Sequence, residues 1–244
     1  MDRQNYITYE ELFPPAYFAN RGISDRRRVS SYEYETTWLR TIYPPGEPLC
    51  DIGCAKGDFL EMLNCDGPMY GMEVSSHARR IAQEKGILFD RSVFSETSFF
   101  GLVIMRGVLQ HLKDPIRYLE ATYQALTPGG WLAVLMTPNT NSPYFRRFET
   151  LPAIDLMRDW NFPSDTTLRW NLQRIGFEDI QFQFPYLGSG YDAPVRDAVK
   201  YVLSAIFRRT KPFPHAWPRS MMHVIARKPE GDSGKVSSGK PCES

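Results

Sequence analysis

The sequence has little cysteine, and its few cysteines are scattered. Among 244 residues only Cys50, Cys54, Cys65 and Cys242 occur, in neither a paired framework nor a CxxC. That pattern argues against a disulfide scaffold or a structural zinc site and fits a chain kept reduced. Long apolar runs are missing too, none approaching the roughly 20 residues that span a bilayer. The opening Met1-Asp2-Arg3-Gln4-Asn5 has no apolar core of a secretory signal, so a cytoplasmic location is expected. An excess of one charge is also lacking: 29 basic residues face 28 acidic ones. The basic clusters Arg26–Arg28, Arg79-Arg80, Arg146-Arg147 and Arg208-Arg209 are short and dispersed, so no nucleic-acid partner is expected.

What is present is the composition of a globular chain, 42% hydrophobic and 14% aromatic, long enough for one large α/β domain. A helix is expected over Ser31–Tyr43, where Tyr34, Trp38 and Ile42 recur every four residues before Pro44-Pro45-Gly46. The chain then alternates. Strands are expected at Leu49–Gly53, Met69–Val74, Ile87–Phe89, Phe100–Met105 and Trp131–Met136. Helices fall between them at Asp58–Leu63, Ser76–Lys85 and Ile116–Leu126, the last with Asp114 as N-cap and Pro115 in its first turn. Ser164 is expected to cap a helix ending at Gly176, followed by strands Glu178–Phe184 and Met221–Ala226. Strands alternating with helices imply a mostly parallel sheet covered on both faces, here seven strands with an antiparallel last one.

This pattern divides the chain into an N-terminal helical cap (1–43), a main domain (44–228) and a polar tail (229–244). Within the main domain, a helical insertion near 186–216 carries Val195, Ala198, Val199, Val202, Leu203, Ile206 and Phe207 at helical spacing. Helix 195–209 is read as a lid packed on the domain through that stripe, or as an element making peripheral membrane contact.

The chemistry centres on Asp51-Ile52-Gly53-Cys54-Ala55-Lys56-Gly57-Asp58-Phe59, a glycine-bearing turn between the first strand and the next helix. Such a turn lets a ligand approach the backbone. About 20 residues later Glu73 ends the second strand, where a carboxylate can accept from both hydroxyls of a ribose. A nicotinamide dinucleotide would call for GxGxxG, and an oxidoreductase or epimerase for a Tyr-xxx-Lys pair; neither is convincing here. Asp51 would repel a pyrophosphate but suits the ammonium of a methionine moiety.

With those residues in view, LCDIGCAKGDFL, YGMEV, VIMRGVLQHLKDP and LTPGGWLAVLMTPN, in this order from Leu49 to Asn139, resemble the core of class I S-adenosylmethionine-dependent methyltransferases, especially those modifying quinones, sugars and other small metabolites. The resemblance implies a Rossmann-like fold with S-adenosyl-L-methionine as cofactor and S-adenosyl-L-homocysteine as product. It places Asp51, Gly53, Ala55 and Gly57 around the methionine and ribose, with Glu73 on the ribose hydroxyls. Val74, Ser92 and Val93 would flank the adenine, and Met105 and Arg106 would lie near the sulfonium. Two departures stand out: Ala55 replaces a common glycine, and Gly101 stands where an aspartate is frequent.

For a hydroxyl acceptor a general base is needed, and His111, after the fourth strand, is the candidate. No converging carboxylates suggest a metal site, so metal-independent chemistry is expected. The acceptor is expected to be a small molecule (a sugar, glycan precursor or natural-product scaffold) met by residues of 1–43, 138–163 and 185–219. Tyr144, Phe145, Arg146, Trp160, Phe162, Tyr186 and Tyr191 are the aromatic and basic candidates. N- or C-methylation, and a non-catalytic partner subunit, are the alternatives; oligomeric state is not legible.

Overall fold

The computed structural model describes residues 9–19, 26–151, 154–187, 193–206 and 218–231. The helices are α1 (Tyr9–Leu12), α2 (Pro15–Ala19), α3 (Arg26–Leu39), α4 (Asp58–Leu63), α5 (Ser76–Glu84), α6 (Pro115–Ala125), α7 (Pro143–Phe148), α8 (Asp165–Ile175) and α9 (Pro194–Ile206). The strands are β1 (Leu49–Ile52), β2 (Met69–Met72), β3 (Phe100–Arg106), β4 (Leu126–Pro138), β5 (Glu178–Gln183) and β6 (Met221–Arg227). They form one sheet in the order β2-β1-β3-β4-β6-β5, in which β2, β1, β3 and β4 are parallel and β6 runs antiparallel to both neighbours.

The sheet therefore has six strands, not the seven expected. The segment Ile87–Phe89 makes a single parallel bridge, Leu88 to Tyr70, beside β2. Only Ile87 is buried there while Leu88 is exposed, so the run is too short and too wet to extend the ladder. Two other boundaries move. α3 begins at Arg26, with the arginine run as its first turn, and ends at Leu39 instead of Tyr43. β4 begins at Leu126, paired with Phe100, and its register shifts before Trp131 pairs with Leu102. Thr127–Gly130 is thus an irregularity within the strand, with Gly129 at φ 79°.

Central strands read as unbroken apolar runs because helices cover both their faces. On one side Cys50, Val103, Met105 and Val134 pack with Leu119 and Tyr123 of α6 and Leu168 and Leu172 of α8. On the other, Leu49, Leu102, Ile104 and Ala133 pack with Leu39 of α3, Phe59, Leu60 and Leu63 of α4, and Ala82 of α5. The expected caps form: Asp114 accepts from the Arg117 amide, and Ser164 and Thr167 make a reciprocal capping box before α8, which Gly176 ends at φ 115°. α9 reverses the expected facing. It buries Asp197, which accepts from the Tyr186 hydroxyl at 2.9 Å, and Ser204, while Val195, Val199, Val202, Leu203 and Ile206 face outward. Phe207 to Arg209 lie outside the described residues.

Candidate active site

β1 lies between β2 and β3, so the chain leaves β1 toward one side of the sheet and returns on the other. That switch point opens a crevice at the carboxyl ends of the strands. A cavity of about 610 Å³ occupies it.

Its floor is the turn after β1. Gly53 and Gly57 sit at φ 75° and 76°, a region costly for residues with a Cβ. A Cβ on Gly53 would stand 2.3 Å from Cγ2 of Val108, and one on Gly57 2.2 Å from Cδ1 of Ile87. Ala55, where the resemblance shows a glycine, also takes a left-handed conformation at φ 50°. Its amide donates to Glu73 Oε2 at 2.9 Å, and the Ser75 amide donates to Oε1 at 2.8 Å. Glu73 is thereby fixed at the end of β2. Burial raises its pKa, opposed by those amide bonds.

Asp51 is 2% exposed, and its Oδ1 has no hydrogen-bond partner. Burial, partly offset by Arg106 and reinforced by Glu73, pushes its pKa up to about 8. A buried acid with an orphaned oxygen on a cavity wall calls for a donor or a cation from the ligand. The methionine ammonium of S-adenosylmethionine is such a group, and Glu73 retains lone pairs for ribose hydroxyls.

Of the residues singled out in the sequence, Asp51, Gly53, Ala55, Glu73, Val74, Ser92, Arg106 and His111 line the cavity. Gly57, Val93 and Met105 do not line it. Gly57 shapes the turn from behind, Val93 is 2% exposed, and Met105 is fully buried in the core beneath the sheet. Alternation along β3 sends the Met105 side chain into that core and presents Arg106 to the crevice. Gly101 has a steric reason: a Cβ there would lie 2.5 Å from Cβ of Glu47.

Arg106 does not stand free. Its Nε donates to Glu35 Oε2 at 2.5 Å and its Nη2 to Glu35 Oε1 at 3.1 Å and Ser31 Oγ at 3.2 Å. Its guanidinium lies 4.4 Å from the centre of the Tyr32 ring. Glu35 is fully buried on α3, so this helix and the end of β3 are joined by a two-pronged ion pair.

Beyond Arg106 the cavity is walled by Phe13 between α1 and α2, Tyr17 and Phe18 of α2, Arg28 and Tyr32 of α3, Met136 from β4, and Asp155 and Arg158 from the loop after α7. His111 closes a single 3-10 turn, Leu109–His111. Its Nδ1 lies 2.7 Å from Asp159 Oδ1 and 3.2 Å from the Arg158 carbonyl oxygen. The Asp159 side chain is fully buried and accepts from the Asp155 amide at 2.7 Å. Amides of Trp160 and Asn161 donate to the Gln110 carbonyl, stitching this loop to the histidine turn.

Asp159 and Glu35 were not singled out from sequence, and Arg28 only as a member of the Arg26–Arg28 run. Asp159 and Glu35 meet the site across a long separation, and no local motif marks them. The aromatic candidates fare differently. Tyr144 and Phe145 belong to a separate small cluster with Phe148, Leu151 and Tyr201. Trp160 and Phe162 are exposed, and neither Arg146 nor Tyr186 lines the cavity. Tyr191 lies outside the described residues.

A Rossmann-like sheet with a glycine turn, a strand-end acid and a buried acid facing the crevice defines a nucleoside-cofactor domain of the methyltransferase type. A family model described as a methyltransferase domain matches residues 26–182, and the chain belongs to that family. Among curated relatives, the chain is 30% identical over 125 residues to carboxy-S-adenosyl-L-methionine synthase of Trichodesmium erythraeum, covering 45% of this chain and 49% of that protein. It is 29% identical over 184 residues to ubiquinone biosynthesis O-methyltransferase of Ruegeria pomeroyi, covering 66% of this chain and 73% of that protein. The chain spans about half the length of the first curated relatives it matches, 49% and 55%. Among solved structures, a Haemonchus contortus phosphoethanolamine N-methyltransferase in complex with phosphomonomethylethanolamine and S-adenosylhomocysteine shares the fold. Its TM-score is 0.59 at 15% identity, over 92% of this chain and 61% of that one. No helix among the described residues is long and apolar enough to cross a membrane.

Proposed function

We propose that the protein transfers the methyl group of S-adenosylmethionine to a hydroxyl of a small-molecule acceptor, with His111 as general base. The observation that carries this reading is the setting of the His111 ring. The Arg158 carbonyl oxygen pairs with Nδ1 at 3.2 Å, and Asp159 Oδ1 lies 2.7 Å from the same nitrogen without the alignment of a hydrogen bond. A carbonyl can only accept, so Nδ1 keeps its proton and Nε2 is left with the lone pair. Asp159 further stabilises the imidazolium that forms once Nε2 has taken a proton.

The bound cofactor supplies an electrophilic methyl on a sulfonium, and transfer is an in-line displacement. Asp51 and Glu73 hold the methionine and ribose ends, while Gly53 lets the ligand lie against the backbone. Phe13, Tyr17, Phe18 and Tyr32 exclude water and orient the acceptor. His111 Nε2 takes the acceptor hydroxyl proton as the oxygen attacks. The O-methyltransferase among the curated relatives supports oxygen as the atom modified.

The test pairs His111→Ala and Asp159→Asn in a S-adenosylhomocysteine release assay with phenolic and sugar acceptors, alongside calorimetric binding of S-adenosylhomocysteine. The expected result is unchanged product affinity with turnover lowered about 100- to 1,000-fold in the alanine variant, and to a smaller extent in the asparagine variant. Turnover within twofold of wild type in His111→Ala refutes His111 as the base.

The outward apolar stripe of α9 (Val195, Val199, Val202, Leu203, Ile206) favours peripheral membrane contact over a lid packed through that stripe.

A further inference from the structure

The helix α9 is built inside out. Val195, Val199, Val202, Leu203 and Ile206 recur at the spacing of one helical stripe, and each is between 44% and 77% exposed. The opposite face is polar and buried: Asp197 accepts from the Tyr186 hydroxyl, and the Ser204 carbonyl accepts from Arg147 Nη2 at 3.0 Å. Those bonds fix which face looks outward. Clustered aliphatic side chains left in water forgo the burial that ordinarily docks a helix, and such a patch marks a surface that something covers.

The rim of the cavity repeats the arrangement. Amides of Arg158 and Asp159 donate to the Asp155 carbonyl, and the Met157 amide donates to the Asp155 carboxylate, closing one helical turn. Asp155 and Arg158, three residues apart, line the cavity, while Leu156 and Met157 between them stand 82% and 73% exposed. Turn and helix are braced on one small core, because Ile154 beside the turn and Tyr201 of α9 both pack on Tyr144, Phe148 and Leu151. The two exposed apolar sets therefore belong to a single unit at the mouth of the cavity.

Cations accompany that unit. Arg196 and Lys200, one turn apart, run along one flank of the α9 stripe, and Arg196 touches the buried Asp197 at 3.3 Å yet stays exposed. Arg146 and Arg147 of α7 lie beneath, with Glu149 at the end of α7 offsetting one of these charges. After Asp197 the sequence runs through Lys200, Arg208, Arg209 and Lys211 without an acidic residue until Glu230, in a chain otherwise balanced in charge. Apolar side chains flanked by cations match an anionic lipid surface. A second copy of the chain is a poorer match. A two-fold contact would set the same cations against one another, and these few side chains fall short of the roughly 20 to 30 residues a side of a stable interface.

We propose that the α9 stripe and the Leu156–Met157 turn form one docking surface for an anionic phospholipid membrane, which brings the mouth of the cavity to the lipid. This rests on the peripheral-contact reading of α9 and adds to it the charge of the lipid and the cavity rim as part of the contact. The aliphatic side chains enter the boundary between headgroups and acyl chains, and the long stems of Arg196 and Lys200 keep their charges at the phosphates.

The experiment measures co-sedimentation with vesicles of phosphatidylcholine alone and of phosphatidylcholine with about 30% phosphatidylglycerol. Wild type is compared with Val199→Gln/Leu203→Gln and with Leu156→Gln/Met157→Gln. Glutamine is at least as good a helix former as valine and about equal to leucine, so wild-type melting is expected in both variants. Wild type is expected to bind the anionic vesicles about tenfold or more tightly than the neutral ones, an advantage that about 0.5 M salt removes. Each double variant is expected to weaken that binding about tenfold. No binding to either vesicle sinks the membrane reading itself. Equal binding to the two vesicles, or wild-type binding by either variant, overturns the proposal while membrane contact stands. A variant melting more than about 3 °C lower overturns it by showing that the chain itself covers the surface. A wild-type dimer in sedimentation velocity that the variants lose overturns it in favour of a second copy.

Discussion

On the proposed reading, in which Asp51 receives the methionine ammonium, cofactor binding releases a proton. Free, the buried acid titrates near pH 8, because burial outweighs the lowering by Arg106; at pH 7 roughly nine-tenths of it is protonated. An arriving methionine ammonium demands the carboxylate, so the proton leaves. The ligand's α-amino group is that of a free amino acid, beside its own carboxylate, and is already protonated at pH 7, leaving a net release of about 0.9 proton per ligand. Affinity follows the product of ionised Asp51 and protonated ligand. It rises about ninefold from pH 6 to pH 7 and flattens above pH 8. Calorimetry with S-adenosylhomocysteine in phosphate, HEPES and Tris at pH 7 reads the release directly, from the slope of observed heat against buffer ionisation enthalpy. Asp51→Asn, which cannot ionise, removes the release and the pH dependence together. Buffer-independent heats with affinity flat between pH 6 and pH 8 in wild type refute the reasoning.

Two further perturbations test the frame around the site. Gly57→Ala forces a Cβ into a left-handed position and against Ile87; the expected loss is about 2 kcal/mol or more in urea unfolding, and a loss below half that value refutes the turn argument. His223 is fully buried beside the Tyr34 and Trp38 rings, 3.8 Å from Glu35, and both its ring nitrogens lack partners. Burial, with Arg106 adding to it and Glu35 opposing, lowers its pKa from 6.5 to about 4. The unfolded chain therefore takes up a proton that the folded one refuses. The contribution of His223 is whole above about pH 6.5 and falls by about 3 kcal/mol as pH drops to 4, a loss that Asp51, held protonated in the folded chain, works against over the same range. His223→Phe is expected to remove that loss, raising the urea midpoint at pH 4 relative to pH 7 when compared with wild type, and a profile that keeps the wild-type shape refutes the assignment.

What could be read from sequence followed the range of each signal. The alternation of strands and helices, the Asp114 and Ser164 caps and the Asp51–Gly57 turn are local, set by residues within a few positions of one another. Glu73 was legible because its distance from the glycine turn is itself a pattern. Ile87–Phe89 failed as a strand because three apolar letters cannot reveal that the middle one faces solvent. α9 failed in its facing because periodicity identifies a stripe but not what lies beneath it; Tyr186 buries Asp197 instead. Asp159 and Glu35 were out of reach because their roles come from pairing with residues far away in the chain, whereas the Arg26–Arg28 run was visible but not which of its members lines the cavity. Tyr144 and Phe145 were misplaced for the converse reason: aromatic content alone does not distinguish a wall of the site from a core of its own.

The two halves of the cavity differ in how far the chain must travel to close them. The bond that fixes Glu73 to Ala55 spans 18 residues, whereas Arg158 reaches the Leu12 carbonyl at 2.9 Å across 146. Closing the longer loop costs about 2 kcal/mol more in chain entropy, and the structure regains this through a few polar and ring contacts at the rim, among them the Arg158 guanidinium over the Tyr17 ring at 5.1 Å. On the proposed reading the acceptor enters and the methylated product leaves between Leu12–Phe18 and Asp155–Arg158, a route that leaves the bond between Ala55 and Glu73 intact.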